Sequence, residues 1–293
     1  QDGWPDILVA NDSVAQQLFL NDAGKGFEEA ALRWGLAYDE DGDSYAGMGI
    51  DAADVNGDGR RDVFINALAR QGYWLYKRGE GRGYTPVSAS SGLASMTDMH
   101  SGWGARLADF DNDGWPDLVV AQGHVMDTIE WSDPAVRYLE PPLLAKNLFG
   151  RFFDVSAQAG PAFSAARAGR GLAVGDLDGD GLLDVVISNS NGAPSLLRNT
   201  TESRNGWLAV RLEGERSNRD GYGSRIAVTT AGGRRAEAYV DSSGSYLSAS
   251  SSVAHFGLGE DEKAVKIEVS WPSGSRSVRS GEFLNEVVRI EEK

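Results

Sequence analysis

A nine-residue acidic pattern occurs three times, each time ahead of a short apolar run. The copies are Asp54-x-Asn56-x-Asp58-Gly59-x-x-Asp62, Asp109-x-Asp111-x-Asp113-Gly114-x-x-Asp117 and Asp176-x-Asp178-x-Asp180-Gly181-x-x-Asp184. A fourth copy is partial, because Asp2-Gly-Trp-Pro-Asp6 repeats the Asp113–Asp117 end of the second loop. The residues preceding the loop glycines, at 2, 58, 113 and 180, lie 56, 55 and 67 positions apart. A recurrence of this length constrains the fold more than any other feature. So short a unit buries its apolar face by stacking on its neighbours, and blades of a β-propeller are the leading candidates.

The flanks repeat with the loops. Each full loop follows a Gly-rich segment, GMGIDAADV, GWGARLADF or GRGLAVGDL, and precedes an apolar run: Val63-Phe64-Ile65, Leu118-Val119-Val120 or Val185-Val186-Ile187. The partial copy precedes Ile7-Leu8-Val9. Short β-branched runs between Gly and Asn or Asp signals read as buried strands. LFLNDAGKGFEEA, YWLYKRGEGRGYTPV and LLAKNLFGRFFDV then read as hairpins, so one unit holds four strands. The longer third interval places an insertion within Gln122–Ala145, in a loop on one face; such loops often carry function, and the plainer reading, a decorative loop, is preferred.

In each loop, side-chain oxygens at positions 1, 3, 5 and 9, with a backbone carbonyl at position 7 and Gly at position 6, suit a hard cation. Calcium takes six to eight such oxygens at irregular geometry, whereas magnesium demands a strict octahedron. An EF-hand is excluded, since its closing Glu at position 12 is replaced here by Ile65, Val120 or Ile187 in strand-like runs. The alternative is a set of Asx turns without metal. Eleven carboxylates in the ligand positions favour the cation, because such packing is electrostatically costly without one. With no cysteine and three histidines, zinc or copper sites of the usual kind are not expected.

These loops resemble the FG-GAP, or VCBS, repeat family, whose D-x-[DN]-x-D-G-x-x-D motif they match position by position. The resemblance implies a propeller, usually of seven blades, with calcium in the loops. The ligands it implies are Asp54, Asn56, Asp58, Arg60 and Asp62; Asp109, Asp111, Asp113, Trp115 and Asp117; and Asp176, Asp178, Asp180, Leu182 and Asp184, with Arg60, Trp115 and Leu182 acting through backbone carbonyls. About three calcium ions are expected. Further on, SNRDGYGSRIAVTTAGG, SSGSYLSASSSVAHFGLG and IEVSWPSGSRS resemble the ASPIC/UnbV domain, which follows FG-GAP repeats in secreted bacterial proteins. Usual members of that architecture are longer, with more repeats before these.

The residues of the last third support this independently. Trp207–Leu212, Arg225–Thr229, Val265–Val269 and Val287–Ile290 read as strands separated by turns at Asn205-Gly206, Gly232-Gly233 and Pro272-Ser-Gly274, which suggests a small β-sandwich. The expected chain is therefore all-β: residues 1–200 as about three and a half FG-GAP-type β-propeller blades, and 201–293 as an ASPIC/UnbV β-sandwich. The missing first strand of the first blade is expected from an N-terminal half outside these residues or from another chain.

The net charge of −15 argues against nucleic acid as a partner, and no run of apolar residues is long enough for a membrane span. The leading expectation is a calcium-binding, secreted, extracellular or periplasmic protein that binds a protein or glycan. The alternatives are an enzyme of cyclase or lyase type using the propeller pocket and the 122–145 loop, and a structural subunit of a larger assembly. No nucleophile motif or phosphate loop is present. Were there a general base, His124 with Asp127 or Glu130 would be the best candidate. His255 is expected to pack within the sandwich, and Asp39–Asp43 reads as a solvated turn.

Overall fold

The computed structural model describes residues 3–81, 83–260 and 262–293, so Asp2 of the partial loop lies outside the described residues. The chain is nearly all-β, and among the described residues no helix is long and apolar enough to cross a membrane. Its first part forms four small antiparallel meanders, each in chain order, consistent with propeller-like blades. They are β1 (Ile7–Val9), β2 (Gln17–Asn21) and β3 (Phe27–Glu29); β4 (Ile50–Ala53), β5 (Asp62–Ile65), β6 (Trp74–Arg78) and β7 (Tyr84–Pro86); β8 (Gly102–Ala108), β9 (Asp117–Gln122), β10 (Leu143–Leu148) and β11 (Arg151–Asp154); and β12 (Gly169–Gly175), β13 (Asp184–Asn189) and β14 (Ser195–Leu197). The expected four strands appear in the middle two sheets. The outer two have three among the described residues, and β1 stands at the edge of the first.

In the second, third and fourth sheets the second strand carries an apolar run after its first Asp because both its faces are covered. Val63 and Ile65 pack with Leu18, Leu36 and Tyr45 toward the first sheet. Phe64 packs on the other side with Tyr73, Leu118 and Phe152. Val119 and Ala121 in turn face Leu172, Val185 and Ile187 of the fourth sheet. Each such side chain, fully buried, contributes about 1.5–3 kcal/mol. The Gly-rich segments mark where neighbouring sheets approach most closely: a Cβ on Gly49 would overlap the Trp103 carbonyl, and one on Gly104 would overlap the Leu172 backbone.

The last third forms two facing sheets. One orders β18 (Ala254–Glu260), β15 (Asn205–Glu213) and β21 (Glu286–Glu291); the other orders β17 (Arg235–Tyr239), β16 (Arg225–Thr230), β19 (Ala264–Ser270) and β20 (Arg276–Phe283). Leu208, Val210, Ile226, Val228, Phe256, Ile267, Val269 and Val288 fill the space between them. Between β17 and β18 the chain leaves this sandwich and runs along the inner strands of the blades. Ser245 pairs with Ile50 through N–H···O bonds of 2.6 and 3.2 Å, its Oγ donates to Leu172 O at 2.7 Å, and Ser251 N–H donates to Val174 O at 3.0 Å. Tyr246 meets Trp103 edge-on at 5.0 Å. The segment thereby ties the second, third and fourth sheets together.

Candidate metal centres

All three acidic loops connect a first strand to a second strand, and they share one hydrogen-bond plan. The position 1 carboxylate accepts backbone N–H groups from across the turn: Asp54 from Asp58 and Gly59, Asp109 from Asp113 and Gly114, Asp176 from Gly179 and Gly181, at 2.7–3.1 Å. The glycine at position 6 makes the turn possible with φ of +79, +91 and +85°. The position 5 Asp accepts the N–H of position 7, Arg60, Trp115 or Leu182.

The closing Asp at position 9 begins the second strand and has a further task. Its Oδ1 accepts a backbone N–H just past or at the end of the third strand, from Arg78 to Asp62, Asn147 to Asp117 and Asn199 to Asp184, each at 2.8 Å. Its Oδ2 accepts the N–H of position 2, Val55, Phe110 or Leu177. Asp6 of the partial copy does the same for Asn21 at 2.9 Å, so this part of the plan extends to the first sheet.

Carboxylate oxygens converge within 4.8 Å in two loops, through Asp109, Asp111 and Asp117 and through Asp176, Asp178 and Asp180. Asp113 and Asp184 stand outside those trios. Among the described residues no such trio forms in loop 54–62, where position 3 is Asn56. The Arg60 side chain turns back to Asp58 at 2.8 Å, and Trp115 meets Phe149 at a steep tilt with ring centres 4.5 Å apart. The Asp39–Asp43 stretch is a largely exposed turn in which Asp39 Oδ1 accepts the N–H groups of Asp41 and Asp43.

Sequence reasoning missed the cations that the chain supplies to these loops. Lys77, Lys146 and Arg198 sit beside the closing Asp in all three blades, in the register that pairs Val63 with Tyr76, Leu118 with Ala145 and Val185 with Leu197. Lys146 Nζ lies 2.7 Å from Asp111, 2.6 Å from Asp113 and 3.4 Å from Asp117. Arg198 reaches Asp178 at 2.5 Å and Asp180 at 3.5 Å; Lys77 only approaches Asp58, at 3.8 Å. A positive group recurring opposite the closing Asp was visible in the sequence once the third strands were aligned.

Even so, the loops are short of positive charge. Burial, reinforced by Asp113 and Asp111, raises Asp117 to about 7 despite Lys146, and burial with Asp58 and Asp54 raises Asp62 to about 6. Burial and its carboxylate neighbours push Asp109 well above the usual range. An all-oxygen donor set, an ammonium group standing among three carboxylates and carboxyls starved of counter-charge together fit a hard metal ion.

The histidines fall elsewhere than expected. His124 Nδ1 accepts the Met126 N–H at 3.1 Å, while Glu130 accepts from Tyr138 N–H, so that pairing does not form. Instead His100 Nδ1 meets Glu140 Oε2 at 2.6 Å; Glu140 is buried, and this hydrogen bond outweighs burial to raise the imidazole. Glu140 belongs to the insertion and lines a cavity of about 210 Å³ between the third and fourth sheets, with Gln122, Arg167, Asn189 and Ser195. Their separation of 40 residues hid this pair from local patterns. His255 is not internal to the sandwich: it stacks on Trp207 and its Nε2 donates to Asn112 Oδ1 of the second loop at 2.7 Å.

Comparison with known proteins adds three findings. The family profile described as FG-GAP-like repeat matches residues 1–65 and 54–120, that described as FG-GAP repeat matches 168–202, and that described as ASPIC and UnbV matches 214–293. Cartilage acidic protein 1 of Homo sapiens is 29% identical over 302 residues, covering 97% of this chain, and the Mus musculus protein gives the same figures; the chain spans 42% of their length. The Xenopus tropicalis protein is 25% identical over 295 residues, 83% of this chain and 45% of its own. A solved Agrocybe aegerita lectin, described by its recognition of non-reducing terminal N-acetylglucosamine, aligns with 68% of this chain and 50% of its own at 18% identity. Its TM-score of 0.34 is too low to bear on what this chain binds.

Proposed function

The chain carries FG-GAP repeats followed by an ASPIC and UnbV domain and is homologous to cartilage acidic protein 1, and from that premise we propose that it is a calcium-stabilised binding module that works outside the cytoplasm. The observation that carries the reading is the loop plan repeated three times, with Lys146 standing as a cation among the carboxylates of the second. Asp54, Asn56, Asp58 and Asp62, and their counterparts at 109, 111, 113 and 117 and at 176, 178, 180 and 184, would hold calcium through side-chain oxygens; Arg60, Trp115 and Leu182 would add backbone carbonyls. The ion supplies the charge that Asp62, Asp109 and Asp117 lack. Extracellular calcium modules work at affinities of about 10⁻⁴–10⁻³ M, which suits loops that already hold internal cations.

Calcium held only by the native state stabilises it by about 2.7 kcal/mol per site at a hundredfold excess over Kd. Calorimetry of the metal-stripped chain tests this: added calcium is expected to raise Tm by several degrees, and magnesium to raise it less. An unchanged Tm in a chain verified as stripped would sink the calcium reading. The blade faces and the insertion at 122–145 are the proposed surface for a protein or glycan, to be tested on a glycan array and by surface-protein capture in calcium and in chelator. The edge strand β1 also suits strand addition by an N-terminal half outside these residues or by another chain.

One observation favours an enzyme as a second reading: the buried Glu140 held against His100 beside a cavity. Loss of a turnover activity in a folded His100→Asn variant would establish it.

A further inference from the structure

The three acidic loops have unlike surroundings. Loop 54–62 meets the sandwich at Arg61, which lies 3.9 Å from Asp241 and over the Tyr239 ring. Loop 109–117 is covered by it. Asn205 Nδ2 donates to Asp111 O at 2.9 Å, Gly259 N–H to Asn112 O at 2.9 Å, and Arg234 to Gly114 O at 3.2 Å while also holding Gly257 O at 2.8 Å. Three carbonyls of the loop thus point at donors of the other domain. At Gly257 a side chain is forbidden, because a Cβ would overlap Asp109 Oδ2 and the Asn112 backbone.

Asn112 extends the contact to the third loop. It is buried, its backbone is left-handed at φ 62°, and its Oδ1 accepts from His255 while its Nδ2 donates to Gly181 O at 3.0 Å. The sandwich therefore rests on backbone groups whose positions are set by the ligand loop itself.

We propose that loop 109–117 is a two-domain cation site: the C-terminal sandwich is its lid, and a divalent cation there and docking of the sandwich stabilise each other, whereas loop 54–62 binds its ion without the sandwich. This rests on the calcium reading above. The physical link is direct. Asp109, Asp111, Asp113 and Asp117, if held together on an ion, would fix the 111, 112 and 114 carbonyls. The docked sandwich presses Gly257 against Asp109 and shields part of the loop from solvent. Such coupling is reciprocal: whatever factor docking adds to ion affinity, the ion adds to docking.

The test uses the full chain, stripped of metal and titrated with calcium by calorimetry. Gly257→Ala and the milder Arg234→Gln are expected to weaken one calcium equivalent about tenfold or more, leaving the loop 54–62 equivalent as in wild type; should Gly257→Ala fail to fold, Arg234→Gln carries the reading. In the reciprocal arm, calcium is expected to slow hydrogen exchange in β18. Asp113→Asn is expected to abolish that slowing, and Asp58→Asn to leave it intact. Variants that bind calcium like wild type, or a β18 slowing that survives Asp113→Asn, overturn this proposal alone. A wild-type chain that binds no calcium overturns it together with the calcium reading.

Discussion

Loops 54–62 and 109–117 are built alike and live differently. In both, the first Asp caps the turn, the fifth-position Asp accepts from position 7, and the closing Asp ties the loop to the third strand. Yet the second loop has four carboxylates against three, an ammonium among them rather than beside one, and a second domain pressed on its backbone. A nine-residue pattern determines local hydrogen bonding, because all its partners lie within the turn except the third-strand N–H that the closing Asp accepts. Its charge balance is decided by whichever side chains the blade and the sandwich bring.

The largest break in this comparison is expected from removing the closing Asp. Asp117→Ala strands the N–H groups of Asn147 and Phe110 in the interior, at about 1–3 kcal/mol each. Asp62→Ala strands those of Arg78 and Val55, beneath a loop that meets the sandwich at the Arg61 side chain rather than through its backbone carbonyls. The expected loss of stability in denaturant unfolding is larger for Asp117→Ala, and equal losses would show that the sandwich adds nothing to the second loop.

The pH dependence of the metal-free chain separates the loops next. A carboxyl raised in the fold binds a proton that the unfolded chain releases near pH 4, so its stability contribution is full below about 4 and lost as pH rises. The loss is expected to end near pH 6 for Asp62 and near pH 7 for Asp117, with a slope of at most about 1.4 kcal/mol per pH unit for each. Comparing wild type with Asp62→Asn and Asp117→Asn from pH 4 to 8 isolates each group. Calcium, which keeps both ionised, should flatten the curves; curves unchanged by a saturating ion would contradict the assignment of these carboxyls as ligands.

Lys146 offers a finer contrast. Lys146→Met is expected to raise calcium affinity about tenfold, or about 1.4 kcal/mol, while lowering the stability of the metal-free chain. Lys77→Met, starting 3.8 Å from one carboxylate and half exposed, should change either by less than about 0.5 kcal/mol. A pH-dependent effect, smaller than that of Lys146, is expected near the far end of the third sheet, where His100 meets Glu140. Its raised pKa means that the pair stabilises the fold fully below about pH 6.5 and loses this as pH rises through the folded value. His100→Gln should cost under about 1 kcal/mol at pH 5.5 and progressively less as pH rises through the raised folded value, with or without calcium.

The spacing of the acidic loops, their apolar second strands and their Gly-rich first strands were enough to reach stacked β-blades followed by a sandwich. These are short-range signals: Val63-Phe64-Ile65 is apolar because it is covered on both faces, and Gly59, Gly114 and Gly181 are glycine because the turn needs φ > 0. Four of the seven sandwich strands were legible in the same way. β17, β18 and β20 were not, since Arg235–Tyr239, Ala254–Glu260 and Arg276–Phe283 lack a clean apolar run. Their character comes from partners far along the chain. His255 reads as a core residue until it is seen against Asn112, 143 positions away, and Glu140 reads as a surface charge until it meets His100. The segment around Ser245, polar and rich in serine, gave no sign that it would run along the inner strands of three blades. Periodicity in one dimension reveals which residues face a common core. Which loop a second domain closes depends on contacts between residues separated by a hundred positions or more, and only the folded chain brings those together.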